Sequence, residues 1–364
     1  MKITIGGREV SDNSPVLIIA EAGINHDGKL EQAYQLIDMA AECGADVVKF
    51  QLFTASHMYP TTAGLYKTAN GENTEIYELI KNMEVREEWI PKLIAYCNKR
   101  NIGFLCTTCD EASTDILSKY GVDAFKIASS EITYIPLLKH TAKSGKTVVI
   151  SEGASNLAEI AEAIYAIKEV GNDNIAIMHC TAEYPAKMED CNVNVIKTYR
   201  YAFPDIVIGF SDHTMEPSKA PVQAVLQGAK IIEKHITLDR NLPGADHCFA
   251  LERKHLKQLV DDVRYAEGHI NEITVDPIIG GRTDKITLQD EEKLRRFVHR
   301  GIFASKRIER GEILSEDNMV ILRPGNSENG IEPKYIELLI EKKVRVNKSI
   351  ESNHPIRWED VLYI

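Results

Sequence analysis

Eight short apolar segments recur over about 270 residues of this chain, with helix-like stretches between them. The segments are rich in β-branched residues and are typical of buried parallel strands. Amphipathic patterns over Leu30–Cys43, Arg86–Arg100, Asn156–Val170 and Lys254–Gly268 predict helices. Eight strand–helix units predict an α/β fold of the (β/α)8 TIM-barrel class. The predicted strands are Val16–Gly23, Asp46–Phe53, Gly103–Thr108, Ala124–Ser129, Thr147–Gly153, Ile175–Ala182, Ile206–His213 and Ile231–Ile236.

A doubly wound parallel sheet is the alternative arrangement for such units. A sheet of that kind usually has fewer strands, and its first turn is rich in glycine. The first turn of this chain lies in Ala20–Gly28, AEAGINHDG, which is not that fingerprint. The barrel is therefore the predicted fold, and we assign it to residues 1–272.

The barrel pattern stops in the C-terminal part of the chain. Residues 273–297 are polar and include Gly280–Arg282, so they are predicted to form a linker. Residues 298–364 are predicted to form a small, mostly β module with one short helix at Glu332–Lys343. The module contains a weak internal repeat, because Arg307–Asn318 resembles Ser349–Val361. This repeat predicts two-fold pseudo-symmetry.

Composition excludes several classes of protein. The formal net charge is −11, whereas a nucleic-acid-binding protein usually presents a basic field, so that class is disfavoured. No apolar run approaches the ~20 residues that a membrane-spanning helix needs, and the polar N-terminal residues do not form a signal peptide. The seven cysteines are scattered, as in a protein with reduced thiols. We therefore expect a cytoplasmic protein without nucleic-acid or membrane partners.

Two lysines lie inside predicted strands, where a charge is costly to bury without an anionic partner. They are Lys49 in VVKFQ and Lys126 in FKIAS. A TIM barrel carries its active site at the C-terminal ends of its strands. The hydroxyl residues predicted at those ends are Thr107, Ser129, Ser151 and Ser211. Lysines and hydroxyls together predict a pocket for a phosphate and a carboxylate. The alternative is a pair of structural bridges from the lysines to Glu21 and Glu131.

Two histidines end neighbouring strands of the predicted barrel. His213 follows strand seven and His235 ends strand eight, with acidic residues nearby. Two imidazoles in such positions can hold a divalent metal ion that keeps open positions for substrate and water. A single histidine would more often be a core residue, so the matched positions of the pair favour a metal site.

Several motifs resemble those of the sialic acid synthase family, whose members make N-acetylneuraminate, legionaminate or pseudaminate. The resemblance covers nearly the whole chain, and GFSDHT followed by EKHITLD is highly specific. The order of the parts is also similar, a barrel and then a module like the type III antifreeze proteins (a SAF domain). The motifs are Ala20–Gly28, Val47–Gln51, FKIASSE (Phe125–Glu131), HCTAEYP (His179–Pro185), GFSDHT (Gly209–Thr214), EKHITLDRNLPGADH (Glu233–His247) and RPGN (Arg323–Asn326).

The resemblance implies a role for each matching residue. The residues implied to hold phosphoenolpyruvate are Lys49, Thr107, Lys126, Ser129, Ser151 and Ser211. The residues implied to contact the sugar are Glu21, Gln51, Tyr184 and Asp246, and Glu131 would lie beside the reacting carbons. The metal ligands would be His213 and His235, with manganese as the typical ion and magnesium as a second option. Arg323 would reach from the module of one subunit into the barrel of another, which implies a domain-swapped homodimer.

Three stretches depart from the family pattern. Cys106–Cys109 reads Cys-Thr-Thr-Cys where many members have Ser-Thr-Pro-Phe. Ser151–Ala154 reads Ser-Glu-Gly-Ala where many members have Ser-Thr-Gly-Met, and Glu183 stands where many have Asn. An Asn at that position resembles a phosphoenolpyruvate contact, whereas Glu183 is expected to face the sugar. The acceptor sugar therefore stays open between N-acetylmannosamine and a 2,4-diacetamido-6-deoxy sugar.

The resemblance and the strand-end residues together predict a metal-dependent enzyme. It would condense phosphoenolpyruvate with an N-acylated mannosamine-type sugar and release phosphate, forming N-acetylneuraminate or N,N'-diacetyllegionaminate. Synthesis of pseudaminate or another 3-deoxy sugar acid is the alternative within the class. A Schiff-base aldolase with Lys126 as nucleophile is a rival on the same barrel, and a carbohydrate-binding protein is the rival from another class.

Overall fold

The eight predicted strands form a closed parallel barrel in the computed structural model, which describes residues 2–67 and 73–362. Each strand begins and ends within two residues of its predicted bounds, so the TIM-barrel prediction is confirmed. Strand eight pairs with strand one in the register Ile231 to Leu17, which closes the barrel. The strands are β1 Leu17–Gly23, β2 Val47–Leu52, β3 Gly103–Thr108, β4 Ala124–Ile127, β5 Thr147–Ser151, β6 Ile175–Cys180, β7 Val207–Asp212 and β8 Ile231–His235.

A long helix follows each barrel strand and packs its apolar face on the outside of the barrel. The first helix ends at Gly44, whose φ of 86° lies in the left-handed region that glycine adopts without steric cost. The fifth begins at a reciprocal cap, in which Asn156 accepts hydrogen bonds from the backbone of Ala158 and Glu159. The helices are α1 Leu30–Cys43, α2 Ile90–Lys99, α3 Glu111–Lys119, α4 Ile135–Ala142, α5 Leu157–Glu169, α6 Val195–Ala202, α7 Lys219–Leu226 and α8 Arg253–Gly268.

Shorter elements occupy two of the connections around the barrel. An N-terminal hairpin, Lys2–Ile5 paired with Arg8–Ser11, packs Ile3, Ile5 and Val10 against residues at the beginnings of the barrel strands. The connection after β2 contains the hairpin Leu65–Lys67 with Asn73–Glu75 and the short helices Ala55–Met58 and Ile76–Lys81. In the described ranges of the chain, no helix has the length and apolarity needed to cross a membrane.

Side chains of the barrel interior change from apolar to polar along the strands. Because successive residues of a strand point to opposite faces, every second residue enters the interior. Leu17 and Ile19 of β1 belong to the apolar cluster of the interior, and the next residue on that face is Glu21. The same change occurs on β2 between Val47 and Lys49. This alternation places the polar interior residues at the C-terminal end of the barrel.

Gly209 of β7 gives room to the apolar layer beneath these polar residues. A Cβ atom at this position would lie 2.5 Å from Met178 Sδ on β6 and 2.8 Å from Ile231 Cβ on β8. Those separations are far below van der Waals contact, so only a residue without a side chain allows this packing. The layer that supports the polar end is therefore tightly filled.

The C-terminal module is a small domain with antiparallel strands, as the sequence predicted. Its two strands are Gly301–Ala304 and Met319–Leu322, and its helix Ile336–Glu341 lies within the predicted helical range. Ile308 and Ile350, which occupy equivalent positions of the internal repeat, exchange two backbone hydrogen bonds of 2.9 Å. This reciprocal pair agrees with the predicted two-fold pseudo-symmetry.

The predicted linker contains two helices that the sequence analysis did not predict, Pro277–Gly280 and Gln289–Val298. We call the second the connecting helix. Glu291 in its first turn is 1% exposed, and Glu291 Oε1 accepts hydrogen bonds from Ala154 N and Ala182 N at 2.8 Å. These two nitrogens follow β5 and β6, so the connecting helix is anchored to the C-terminal face of the barrel.

Candidate active site

Lys49 of β2 is buried at the polar end of the barrel. Lys49 Nζ lies 2.8 Å from Glu21 Oε2 and donates a hydrogen bond of 3.1 Å to Thr107 Oγ1. Burial by itself would lower the pKa of Lys49, but the carboxylates of Glu21 and Glu233 outweigh it and raise that pKa. Lys49 is therefore a cation at neutral pH. The sequence analysis gave a structural salt bridge to Glu21 as the alternative to anion binding, and this bridge is present.

Lys126 of β4 has a different electrostatic environment. Lys126 Nζ donates a hydrogen bond of 2.5 Å to Ser151 Oγ and lies 3.7 Å from Glu233 Oε1. Burial lowers the pKa of Lys126; Glu233 opposes this effect, and the positive charge of Lys49 adds to it. The alternative bridge from Lys126 to Glu131 does not form, because Glu131 pairs with two arginines instead.

Glu233 of β8 links the two lysines, and the sequence analysis assigned it no role. Glu233 Oε1 accepts a 3.0 Å hydrogen bond from Ser211 Oγ and lies 3.8 Å from Lys49 Nζ. Burial raises the pKa of Glu233, but Lys126 and Lys49 outweigh burial and hold the pKa below its usual value. Among the described residues, Glu233 Oε2 has no hydrogen-bond partner. The alternation of residues along a strand could have predicted this position, since Glu233 and His235 lie on one face of β8.

The predicted hydroxyls all lie at this end of the barrel. Thr107 contacts Lys49, Ser151 contacts Lys126, and Ser211 contacts Glu233 between them. Ser129 Oγ accepts a 2.9 Å hydrogen bond from Gly153 N, beside Ser151. The structure therefore brings together the residues predicted to hold a phosphate and a carboxylate.

His213 and His235 lie side by side, with ring centroids 5.5 Å apart. His213 Nδ1 donates to the Thr181 carbonyl oxygen at 2.8 Å, so its Nε2 carries the free lone pair. Burial lowers the pKa of both imidazoles, so both are neutral at pH 7. His235 Nδ1 is buried and has no hydrogen-bond partner in the described part of the chain, although Asp246 Oδ2 lies 3.4 Å away.

This pair fits a two-histidine metal site in which substrate and water supply the remaining ligands. A neutral imidazole with an uncommitted nitrogen is the form that binds a metal ion. Within the part of the chain that the structure describes, no group of three or more metal-binding side chains is found. The protein would therefore contribute two nitrogens and leave most of the coordination sphere open.

A cavity of about 330 Å³ opens at the C-terminal face of the barrel, above the lysines and beside the histidines. Small-molecule sites in proteins measure roughly 300–1,000 Å³. The predicted contacts on its wall are Gln51, Ser129, Tyr184, His235, Asp246 and Arg323. Gln51 Nε2 donates to Glu21 Oε1 at 2.7 Å, which places Glu21 directly behind the wall. Burial raises the pKa of Asp246 to about 7, and the carboxylate of Glu21 adds to this effect.

The two acidic residues that depart from the family pattern lie outside the cavity wall. Glu183 Oε1 is 3.5 Å from Lys187 Nζ, and the contact of Glu183 with substrate stays a prediction. Glu152 is fully buried, with its Oε1 2.6 Å from His179 Nδ1 and its Oε2 2.5 Å from Lys285 Nζ. Lys285 belongs to the predicted linker, so Glu152 binds that segment to the barrel.

Arg323 enters the barrel of its own chain. Its Nε and Nη2 lie 3.0 and 2.5 Å from Glu131 Oε1, and its Nη2 donates to Ser130 Oγ at 2.6 Å. Burial raises the pKa of Glu131, but Arg323 and Arg300 outweigh burial and lower that pKa. In this single chain the module docks on its own barrel, and the crossing of Arg323 into a second subunit stays a prediction. The homodimer itself stays a prediction.

Arg300 is a second arginine of this interface, and the sequence analysis did not identify it. It is 2% exposed and donates to the carbonyl oxygens of His57 and Cys109 at 2.6 and 2.8 Å. The RPGN motif adds backbone contacts, since Asn326 N donates to Ala63 O at 2.9 Å. The sequence around Arg300 carries no signal for its burial, which depends on the docking of the module.

These features define a class of protein. A TIM barrel with buried lysines, hydroxyls and neutral imidazoles around a cavity at its C-terminal face is typical of a barrel enzyme. The chain belongs to the NeuB family, whose model matches residues 36–274, and a SAF domain model matches residues 299–362. The family predicted from the sequence motifs and the type of the C-terminal domain are thus confirmed.

Named relatives cover nearly the whole chain. Spore coat polysaccharide biosynthesis protein SpsE of Bacillus subtilis is 47% identical over 98% of this chain and 96% of that protein. The N,N'-diacetyllegionaminic acid synthase of Campylobacter jejuni is 39% identical over 89% of this chain and 94% of that protein. The crystal structure of Bacillus subtilis spsE matches with a TM-score of 0.89, 44% identity and complete coverage of both chains. The fold and the placement of the module are therefore shared with a solved structure.

Proposed function

We propose that the chain is a nonulosonic acid synthase that condenses phosphoenolpyruvate with an N-acylated mannosamine-type sugar. The observation that carries the proposal is the pair of buried lysines, Lys49 and Lys126, among hydroxyls at the C-terminal end of the barrel. Apolar side chains at these positions would stabilise the barrel at least as well as buried charged side chains do. The buried lysines therefore indicate that the site binds an anionic ligand. Relatives named as legionaminic, sialic and pseudaminic acid synthases, 31–39% identical, support the same class.

Phosphoenolpyruvate carries a phosphate and a carboxylate, and the barrel offers one lysine for each. Thr107, Ser151 and Ser211 already contact the charged groups at this site, and Ser129 faces the cavity. Because Glu21 and Glu233 hold the ammonium groups in place before the ligand arrives, phosphoenolpyruvate would enter a preorganised field. We therefore assign these four hydroxyl residues and the two lysines to phosphoenolpyruvate binding.

We further propose that His213 and His235 bind a divalent metal ion, manganese or magnesium. A metal ion there supplies Lewis-acid polarisation of the aldehyde of the open-chain sugar. The two rings are already held for this task, since Thr181 O fixes His213 and the Tyr184 ring packs 4.3 Å from His213.

The proposed reaction forms one carbon–carbon bond and breaks one carbon–oxygen bond. Carbon three of phosphoenolpyruvate attacks the aldehyde carbon, whose oxygen takes up a proton. Water adds at carbon two and loses one proton, which leaves a hydroxyl there. Phosphate then leaves with the bridging oxygen and takes up the proton of that hydroxyl, so that carbon two becomes a keto group. Glu21 suits the proton transfers, because burial raises its pKa despite the opposing charge of Lys49. Glu131 suits them less, because two arginines occupy it.

The test is phosphate release from phosphoenolpyruvate with manganese, run in parallel with N-acetylmannosamine and 2,4-diacetamido-2,4,6-trideoxymannose. Release with the first sugar makes the enzyme an N-acetylneuraminate synthase, and release with the second alone makes it a legionaminate synthase. Release with neither, by protein that binds metal, would refute the proposed acceptors. Lys49→Met should abolish release with both sugars, since it removes the cation and keeps most of the side-chain volume.

A Schiff-base aldolase is the second candidate, because the lowered pKa of Lys126 would favour a nucleophilic amine. Borohydride reduction in the presence of substrate would trap an adduct on Lys126 in that case. We expect no adduct, since Glu233 and Ser151 fix the ammonium group, and we expect a strict metal requirement. Trapping without added metal would replace the synthase proposal.

The predicted homodimer and the cytoplasmic location are also retained as proposals. All seven cysteines are free in the structure, and six of them are buried, as expected of a protein kept in a reducing compartment. Sedimentation velocity of the full chain would measure the oligomeric state. A monomer that turns over substrate would exclude a requirement for a second subunit.

A further inference from the structure

One wall of the cavity comes from outside the barrel. Leu294 and Val298 of the connecting helix line it together with His299, the residue that follows the helix. We call these three residues the helix wall. Leu294 and Val298 are four residues apart and therefore lie on one face of the helix. None of the three belongs to the phosphate pocket, by which we mean the two lysines and four hydroxyl residues proposed to bind phosphoenolpyruvate, or to the pair His213 and His235.

His299 brings an unpaired polar atom into this wall. The residue is 7% exposed, and its Nε2 is buried with no hydrogen-bond partner among the described residues. Burial lowers the pKa of His299 to about 4, and the positive charge of Arg295 adds to that effect, so the ring is neutral at pH 7. A neutral imidazole can donate or accept one hydrogen bond at Nε2. Buried polar atoms normally have hydrogen-bond partners. The unpaired Nε2 therefore indicates that a bound ligand supplies a hydrogen-bonding group at this position.

The same wall offers no free positive charge. Arg323 is the one cation among the described residues that line the cavity, and Glu131 and Ser130 bind it. Arg295, one turn before His299, is paired with Glu159. A phosphate on this side of a sugar would lack a cationic partner. The wall therefore suits an uncharged substituent with both a polar and an apolar part.

We propose that the helix wall binds an acylamino group of the acceptor and selects a sugar with two acylamino groups over one with a single group. His299 Nε2 would hydrogen-bond the amide, and Leu294 and Val298 would pack against the acyl methyl. A hydroxyl substituent would satisfy only the polar half of the wall. The inference rests on the proposed function and narrows its acceptor class.

The test compares acceptors that differ in the second acylamino group, 2,4-diacetamido-2,4,6-trideoxymannose and N-acetylmannosamine, with phosphoenolpyruvate at saturation. His299→Phe retains a ring and removes the nitrogen, and should raise KM for the diacetamido sugar about tenfold. KM for N-acetylmannosamine and for phosphoenolpyruvate should change less than about twofold. His299→Gln, whose side-chain amide replaces the imidazole nitrogen, should recover most of the loss. His140→Phe, at a partly exposed histidine paired with Asp115, is the matched control.

An equal rise of KM for both sugars, or no rise, would overturn the inference. If His299→Phe does not fold, Leu294→Ala decides, because truncating this partly exposed side chain leaves the backbone of the wall intact. It should raise KM for the diacetamido sugar about fivefold and leave that for N-acetylmannosamine unchanged. If the wild-type enzyme turns over neither sugar, the proposed function fails separately. Calorimetry of the diacetamido sugar with wild type and His299→Gln then tests the wall, and absence of binding refutes it.

Discussion

Replacing Lys285 by methionine should destabilise the protein far more than its position in a polar connecting segment suggests. Lys285 is 8% exposed, and its Nζ lies 2.5 Å from Glu152 Oε2. Glu152 is fully buried, and its Oε1 also binds His179 Nδ1 at 2.6 Å and the Tyr199 hydroxyl at 2.8 Å. Lys285→Met keeps the length of the side chain but leaves the carboxylate without its main counter-charge. Removing one partner of a buried pair costs about 3–5 kcal/mol.

A double-mutant cycle isolates the interaction of the pair. Glu152→Gln should cost a similar ~4 kcal/mol, because it leaves Lys285 charged and buried. The double variant removes both charges, so we expect it to cost about 5 kcal/mol, with a coupling of about 3 kcal/mol. Urea unfolding followed by circular dichroism and tryptophan fluorescence gives the free energies and tests for two-state behaviour. Lys254→Met, at an exposed lysine, is the control and should change stability by less than about 0.5 kcal/mol.

The reasoning also predicts a pH window for the pair. Burial raises the pKa of Glu152, but Lys285 and His179 outweigh burial, so the folded pKa is lowered from 4.5. Its stabilisation is complete above pH 4.5 and is lost as pH falls through the folded pKa. The pKa of Lys285 is raised from 10.5, because Glu152 outweighs burial, so its stabilisation is lost as pH rises through the folded pKa. Single variants that add without coupling, or a pair contribution that varies within this window, would refute the reasoning.

Three further predictions concern the site and its support. His213→Ala and His235→Ala should each abolish metal-dependent phosphate release while the circular dichroism spectrum stays that of wild type; retained activity would remove these residues from metal binding. Arg323 lines the cavity, so Arg323→Ala should raise KM for the acylated sugar at least about fivefold and that for phosphoenolpyruvate less than about twofold; equal changes in steady-state kinetics would contradict a role of Arg323 in sugar binding. Gly209→Ala should cost about 1–3 kcal/mol in thermal unfolding, since its Cβ would lie 2.5 Å from Met178 Sδ; an unchanged Tm would contradict the packing argument.

The barrel and the lysines and hydroxyls of the predicted phosphate pocket are encoded locally, and this is why the sequence predicts them. Each strand is a short β-branched run, and the strands end within two residues of the predicted bounds. Lys49 and Lys126 can be recognised in the sequence because a lysine within an apolar strand is rarely buried unless an anionic group pairs with it. Their contacts with Thr107 and Ser151 follow from the shared end of parallel strands. These contacts join neighbouring strands, whereas the ion pairs of both lysines with Glu233 of β8 cross the barrel.

The remaining features depend on contacts between distant parts of the chain. Arg300 is buried only because the module docks on the barrel, and it contacts Cys109, 191 positions earlier. Residues 273–297 are polar in composition, but Lys285 and Glu291 are buried by their partners on the barrel. The sequence shows that burying these charged side chains would be costly. It does not show which groups on the barrel pair with them and compensate that cost. Arg323 illustrates the same limit, since the sequence gives its motif and not the chain whose barrel it enters.

Residues 273–297, the predicted linker, connect the helix wall to the polar end of the barrel. Ser151 is the last residue of β5 and Glu152 follows it. The ion pair between Lys285 and Glu152 therefore ties residues 273–297 to the strand that carries a predicted phosphate-binding hydroxyl. Glu291 adds a second anchor at the loops after β5 and β6. The helix wall therefore has a fixed position relative to the residues proposed to bind phosphoenolpyruvate, as discrimination between acceptor sugars requires. On this view the barrel strands determine the anionic substrate, and the segment outside the barrel determines the acceptor.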